Sequence, residues 1–405
     1  MTDADTDHAA RQSAPFLFLY ALAMSGGAVA YVPFLTIMLP IQAGSIAADG
    51  ALNLLAYAAF AGAVAASIAN IGFGWLSDRS GTRRPWIAAG MLTSSALLIA
   101  MPMASGTLML ISMIVAWQLC LNMMLAPLTA WAGDCVPDSQ KGLLGGLLAF
   151  APALGALSTT LVMLPGFAAP GDRHLLVALF VIVMVSPVLV IGRPAAIRHL
   201  MVDRGWPDDV PDDERHRKEA ARRMWLARLL VQIAEASLFA FLLLWFRSVD
   251  AGVGANVAAN IFTAVLGAAV AMTLVIGRWS DRHGQPTMPL VIAAAAAAVG
   301  LLVMSLSSAF ASAIAGYVIF GLASSIFLAL HASQTLRVLA SARRRGRDLG
   351  VFNLTNTVPS LIMPWLTLAL VPVYGFDALF LMLAALAFAA CLLLVTMPPP
   401  PARNL

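Results

Sequence analysis

One carboxylate, Glu235, sits near the middle of an otherwise apolar run from residue 224 to 247. A charge in such a place needs a partner or water, so its chemistry is that of a group that exchanges a proton or meets a polar ligand. Arg228 and Gln232 precede it by seven and three residues, which puts all three along one face of a helix. A structural hydrogen bond to a neighbouring helix is the plainer use of the same carboxylate. Amides form a second set. Gln118 and Asn122 are four residues apart with Trp117 beside them; Asn53 and Tyr57 repeat that spacing, and Asn353, Asn356 and Ser360 share a face near the other end of the chain. An aromatic plate next to amides suits a sugar, whose ring has an apolar face and an edge of hydroxyls. Polar side chains also join helices to one another inside a bilayer, and both uses stay open here. His331, three residues before Gln334, is either a group titrating near neutral pH or a locally hydrogen-bonded ring.

A different kind of chemistry is written twice, as Gly74-Trp75-Leu76-Ser77-Asp78-Arg79-Ser80-Gly81 and as Gly277-Arg278-Trp279-Ser280-Asp281-Arg282-His283-Gly284, 203 residues apart. Lys141-Gly142 with Gly146 and Arg345-Gly346 with Gly350 correspond at nearly the same offset, so one structural unit has been used twice. An aspartate at the end of one helix can accept hydrogen bonds from the free amides at the start of another, where the helix dipole also favours an anion. On this reading Asp78 meets a helix beginning near Gly346, and Asp281, followed by Arg282, meets one beginning near Gly142. Arg79 or Arg83 pairs with Asp134. Such contacts make a gate on one side of the protein that must open and close; the plainer alternative is that the arginines fix topology and the aspartates cap their own loops.

These groups need long helices in lipid to position them. Charged residues are 11% of the chain and apolar ones 60%, against roughly 25% and 45–50% in soluble domains. Runs of about 20 residues, enough for a helix to cross the hydrocarbon core, recur throughout. A β-barrel would need alternating segments of about 10 residues, whereas Leu290 to Leu306 is continuously apolar and alanine-rich. The expected fold is therefore all-α, with twelve transmembrane helices at 15–40, 52–76, 85–104, 107–131, 142–165, 174–192, 224–247, 255–279, 287–308, 310–336, 347–371 and 376–396. They fall into two pseudo-symmetric six-helix bundles, 15–192 and 224–397, joined by a polar linker at 193–223 and flanked by tails at 1–14 and 398–405.

Arg and Lys collect in alternate connections: Arg79, Arg83 and Arg84; Lys141; the linker; Arg278 and Arg282; and Arg337 with Arg343, Arg344, Arg345 and Arg347. Cytoplasmic loops retain such charge, so both termini are expected in the cytoplasm and the protein in the inner (plasma) membrane. Residues 1–14 lack the basic start of a secretory signal, so the first span is expected to be retained. The three cysteines form no CxxC, and neither a disulfide framework nor a cysteine-based metal site is indicated. No H-E-x-x-H, G-x-S-x-G, Walker P-loop or G-x-G-x-x-G occurs. An enzyme, a cofactor and a nucleic-acid partner are not expected.

The helices, the central linker and the duplicated loop together resemble the major facilitator superfamily over essentially the whole chain. Gly74 to Arg84 looks like that family's signature loop, departing at Thr82, where the family usually has a basic residue. Arg83-Arg84-Pro85-Trp86-Ile87, Asp134-x-x-Pro137-x-x-x-Lys141-Gly142 and Gly346-Arg347-Asp348-Leu349-Gly350-Val351-Phe352-Asn353 resemble stretches of its sucrose and glycoside-pentoside-hexuronide cation symporters. The resemblance implies a monomeric secondary transporter that carries a small solute, a sugar or glycoside, together with a proton by alternating access. The expected gate is Asp78, Arg79, Arg83, Asp134, Asp281 and Arg282, and the expected site is Glu235, Gln232, Gln118, Asn122, Trp117, Asn353, Asn356 and Tyr57. Proton-coupled efflux of an amphiphilic compound and a non-transporting membrane sensor are the alternatives.

Overall fold

The computed structural model describes residues 11–47, 50–137, 140, 144, 147–148, 150–195, 211–283, 287–338 and 345–397. Within these, the side chains of 133, 211–218, 281–282, 332–338, 345–354 and 357 are outside the description. The described residues are helical, without strands. In chain order the helices are α1 (Ala14–Ile46), α2 (Ala51–Arg79), α3 (Arg84–Met103), α4 (Thr107–Cys135), α5 (Ala151–Met163), α6 (Arg173–Val190), α7 (Pro211–Val249), α8 (Ala255–His283), α9 (Met288–Ser305) and α10 (Phe310–Val338). The run Arg345–Val395 is broken at Gly375, whose φ of 78° is left-handed, into α11 (345–374) and α12 (376–395). Among the described residues ten helical runs are long and apolar enough to cross a membrane, the last of them containing the Gly375 break; α5 is shorter.

Local signals account for several helix starts and bends. Ser13 caps α1, its Oγ accepting from the Phe16 amide, and Pro15 follows within the first turn, where a missing N–H loses no helical bond. Pro85, Pro152 and Pro289 do the same at α3, α5 and α9. Pro33 and Pro40 lie inside α1, and the backbone between them widens into a π turn at Phe34–Met38. A proline displaces the carbonyl four residues earlier, and a π turn is a usual way to absorb that displacement.

The chain divides into two compact units. The first comprises Met1–Arg204 with Gly254–Thr263, and the second Gly205–Val253 with Ala264–Leu405. In the first, α1 packs on α5 and α6, α2 on α4, and α3 on α4 and α6. Glycine allows the α3–α4 crossing to be close, because a Cβ on Gly90 would meet the Met123 carbonyl carbon at 2.8 Å. Thr263 Oγ1 donates to Ala156 O (2.6 Å) and shares a 2.7 Å hydrogen bond with Thr160 Oγ1, tying the start of α8 to α5 within this unit. Gln12, only 3% exposed, fastens the chain ahead of α1. Its Nε2 donates to Cys135 O (2.7 Å) and Ala195 O (2.8 Å), its Oε1 accepts from Ala195 N (2.9 Å), and its backbone exchanges two hydrogen bonds with the Gln140 side chain. In the second unit α7 packs on α10 and on the α11–α12 run, and α9 packs on α10 and on that run. Its core includes Met224, Val231, Leu290, Phe327 and Leu394.

Candidate functional site

The first unit holds a charge cluster at the loop between α2 and α3. Arg83, just before α3, forms an ion pair with Asp78, donates from Nε to Asp134 Oδ2 at 2.9 Å, and from Nη1 to Ser77 Oγ at 2.6 Å. Partial burial works against its charge, but the hydrogen bonds and charges of Asp134 and then Asp78 outweigh it and hold the guanidinium pKa above its usual value. Gly81, with φ 64°, gives the loop its reversal. Of the two arginines considered for Asp134, Arg83 makes the bond. Arg79 is exposed and its guanidinium lies 5.6 Å from the centroid of the Trp75 ring. Arg84 reaches the Gly192 carbonyl and lies over Trp131. The side chains of Asp281 and Arg282 lie outside the described residues, as does that of Asn353.

An amide cluster lies between α2 and α4. Asn122, 8% exposed, donates from Nδ2 to Gln118 O at 2.9 Å, and Asn70 Nδ2 approaches Asn122 Oδ1 at 3.4 Å. Gln118 lies against Gly62, where a Cβ would meet its Cγ at 3.5 Å. Asn70 was not singled out from the sequence; its place eight residues before Asp78, on the helix that faces Gln118 and Asn122, is the signal that finds it. Trp117 differs from the expectation. It is 0% exposed and packs edge-on against Phe34 of α1, ring centroids 5.0 Å apart, so it has no open face to offer a solute. Tyr57 on α2 is 48% exposed and stands apart from this cluster's hydrogen bonds.

The second unit holds the ionisable ladder. Along α7, Gln232 Nε2 donates to Glu235 Oε2 at 3.0 Å, while Gln232 Oε1 is buried without a hydrogen bond. One turn earlier, Arg228 donates to Thr355 Oγ1 (3.0 Å) and Asn356 Oδ1 (3.2 Å) on α11 and to Leu328 O (3.2 Å) on α10. The structure thus brings Gln232 to Glu235 and Asn356 to Arg228. Tyr317 is buried against Phe246, and His331 is buried with its Nε2 2.9 Å from Met224 O.

A second buried histidine was missed by sequence reasoning. His174, at the first turn of α6, is 9% exposed, and neither ring nitrogen has a hydrogen-bond partner among the described residues. It lies edge-on to Phe34, 6.0 Å between centroids. Its position at the boundary of an expected span, next to Arg173, disguised it as a loop residue. Among the described residues no group of three or more His, Cys, Asp or Glu side chains is arranged to hold a metal.

Residues 224–405 match the family model described as Major Facilitator Superfamily. No curated protein sequence matches the chain. Solved structures do. A bacterial homolog of the human lysosomal transporter Spinster, in an inward-facing and unoccupied conformation, superposes with a TM-score of 0.65 at 14% identity, over 96% of this chain and 100% of that one. A peptide transporter, POT, in complex with sulfate superposes with a TM-score of 0.71 at 17% identity, over 98% of each chain. By its helices and by these likenesses, the chain has the major facilitator fold.

Proposed function

We propose that this chain is a secondary transporter of the inner membrane, with both termini cytoplasmic, that carries a small solute with a proton by alternating access. The family match over the second half and the fold shared with two transporters support the transporter reading. The observation that carries proton coupling is Glu235: a carboxylate inside an apolar helix, holding one hydrogen bond from Gln232 and no ion pair among the described residues. Such a group is far easier to bury protonated than charged, so its protonation can be linked to which side of the membrane it faces.

A sugar or glycoside is the cargo that fits the amides best. Gln118, Asn122 and Asn70 offer donors and acceptors in the first unit, and Asn356 offers an amide in the second. The division into two compact units supports alternating access, and Asp78, Arg83 and Asp134, bonded to one another within the first unit, are that unit's part of the proposed cytoplasmic gate. The chain acts as a monomer and needs no cofactor.

Reconstituted vesicles test this reading. Wild-type protein accumulates its solute uphill when a proton gradient is imposed. Glu235→Gln abolishes that accumulation while equilibrium exchange of the same solute persists. Uphill uptake that survives the substitution removes Glu235 from coupling, and a wild-type protein that moves no sugar, glycoside or amphiphile in either direction returns the sensor alternative.

A further inference from the structure

Arg228 lies near the start of the apolar run of α7, and its guanidinium is fixed by three neutral oxygens, Thr355 Oγ1, Leu328 O and Asn356 Oδ1. No carboxylate lies within ion-pair distance of it among the described residues. A guanidinium has five N–H donors, so among the described residues three bonds leave two of them unspent. The carboxylate on the same helical face, Glu235, is seven residues on, about 10 Å along the axis at 1.5 Å per residue. The two side chains form no ion pair, yet their charges are near enough to sense each other.

An arginine inside a membrane span is costly unless something balances its charge. Here the side chain is held in place by several bonds from two other helices, while no carboxylate among the described residues pairs with it directly. A structural cross-link alone would be served by an amide or a hydroxyl at lower cost. A rigid fork with donors left over among the described residues is instead what recognition of a carboxylate, phosphate or sulfate group requires.

We propose that Arg228, positioned by Thr355, Asn356 and the Leu328 carbonyl, is the anchor for an anionic group on the transported solute. This rests on the transporter reading above and narrows its cargo to small organic anions, sugar acids or sugar phosphates among them. Charge balance follows. In the empty protein, Arg228 and an ionised Glu235 offset each other; when a solute anion and a proton arrive together, the anion pairs Arg228 and the proton neutralises Glu235.

Sulfate serves as the probe, because it presents the shared chemistry without a scaffold to fit. Radiolabelled sulfate is titrated against the purified full-length protein at constant ionic strength, with chloride as the balancing anion, and melting temperature is followed in parallel. Wild type shows saturable binding and a sulfate-specific rise in melting temperature. Arg228→Gln weakens binding at least tenfold. Arg228→Lys, which keeps the charge but cannot hold all three oxygens at once, weakens it less. Glu235→Gln binds sulfate at least as tightly as wild type, since a like charge has been removed.

Absence of saturable binding in wild type overturns the proposal whatever the variants do, as does binding unchanged in either Arg228 variant. The transporter reading fails separately. A protein that binds sulfate through Arg228 but accumulates no solute keeps the anion site and loses transport, whereas coupled uptake without sulfate binding keeps transport and loses the anion site.

Discussion

Arg79 and Arg83 stand four residues apart in the same loop, yet the surroundings give them unequal weight. The Arg83 side chain is 14% exposed and bridges two carboxylates on different helices, whereas Arg79 lies over an exposed tryptophan. Arg83→Ala therefore lowers the melting temperature of the purified protein more than Arg79→Ala does, by the sum of two pairs worth up to about 1 kcal/mol each; equal melting temperatures would dismiss the bridge as a stabiliser. Glu235 was legible in the sequence because a carboxylate inside an apolar run contradicts its neighbours. Arg228 was visible beside it, but its partners were not, because the oxygens that hold it come from residues 100 to 128 positions away. The burial of Trp117 has a geometric cause. Adjacent residues on a helix point about 100° apart, so Gln118 faces α2 and Trp117 is turned toward Phe34 of α1.

Helices were the most legible level, since apolar runs punctuated by proline and glycine mark spans directly. The expected run 15–40 extends to Ile46 because a π turn carries α1 through two prolines, and the expected start at 224 moves back to Pro211 because α7 continues outward through polar sequence. Neither extension has an apolar signal to announce it. How closely the helices meet is also hidden from composition, and glycines of one chain then behave oppositely. Gly90 has the α4 backbone against it, while Gly72 has nothing within 4 Å of where its Cβ would be. Gly90→Ala is expected to destabilise by about 1–3 kcal/mol, the range for overpacking, and Gly72→Ala to be neutral or to stabilise by up to about 1 kcal/mol through helix propensity. Thermal melts of the two variants beside wild type check this; matching shifts would contradict the tight α3–α4 crossing.

For the whole molecule, the duplicated loop leads to the expectation of two related halves, and the arginine distribution gives the proposed orientation a direct check. Single cysteines placed at Ser80 and Gly252, both exposed, should be modified by a membrane-impermeant maleimide from opposite sides of right-side-out vesicles, Gly252 from outside and Ser80 only after permeabilisation. The reverse pattern would invert the protein. Among the native thiols, Cys135 contributes little background at neutral pH, because burial first, and then the charge of Asp134, push its pKa up to about 11 and the reactive thiolate is scarce below that. The strap at Gln12 carries an implication for biosynthesis. Its partners are at 135, 140 and 195, so a nascent chain cannot complete the fastening of Gln12 until the segment after the sixth helix has left the ribosome. A ribosome stalled short of Ala195 would thus hold a polypeptide in which Gln12 has only its Cys135 and Gln140 partners.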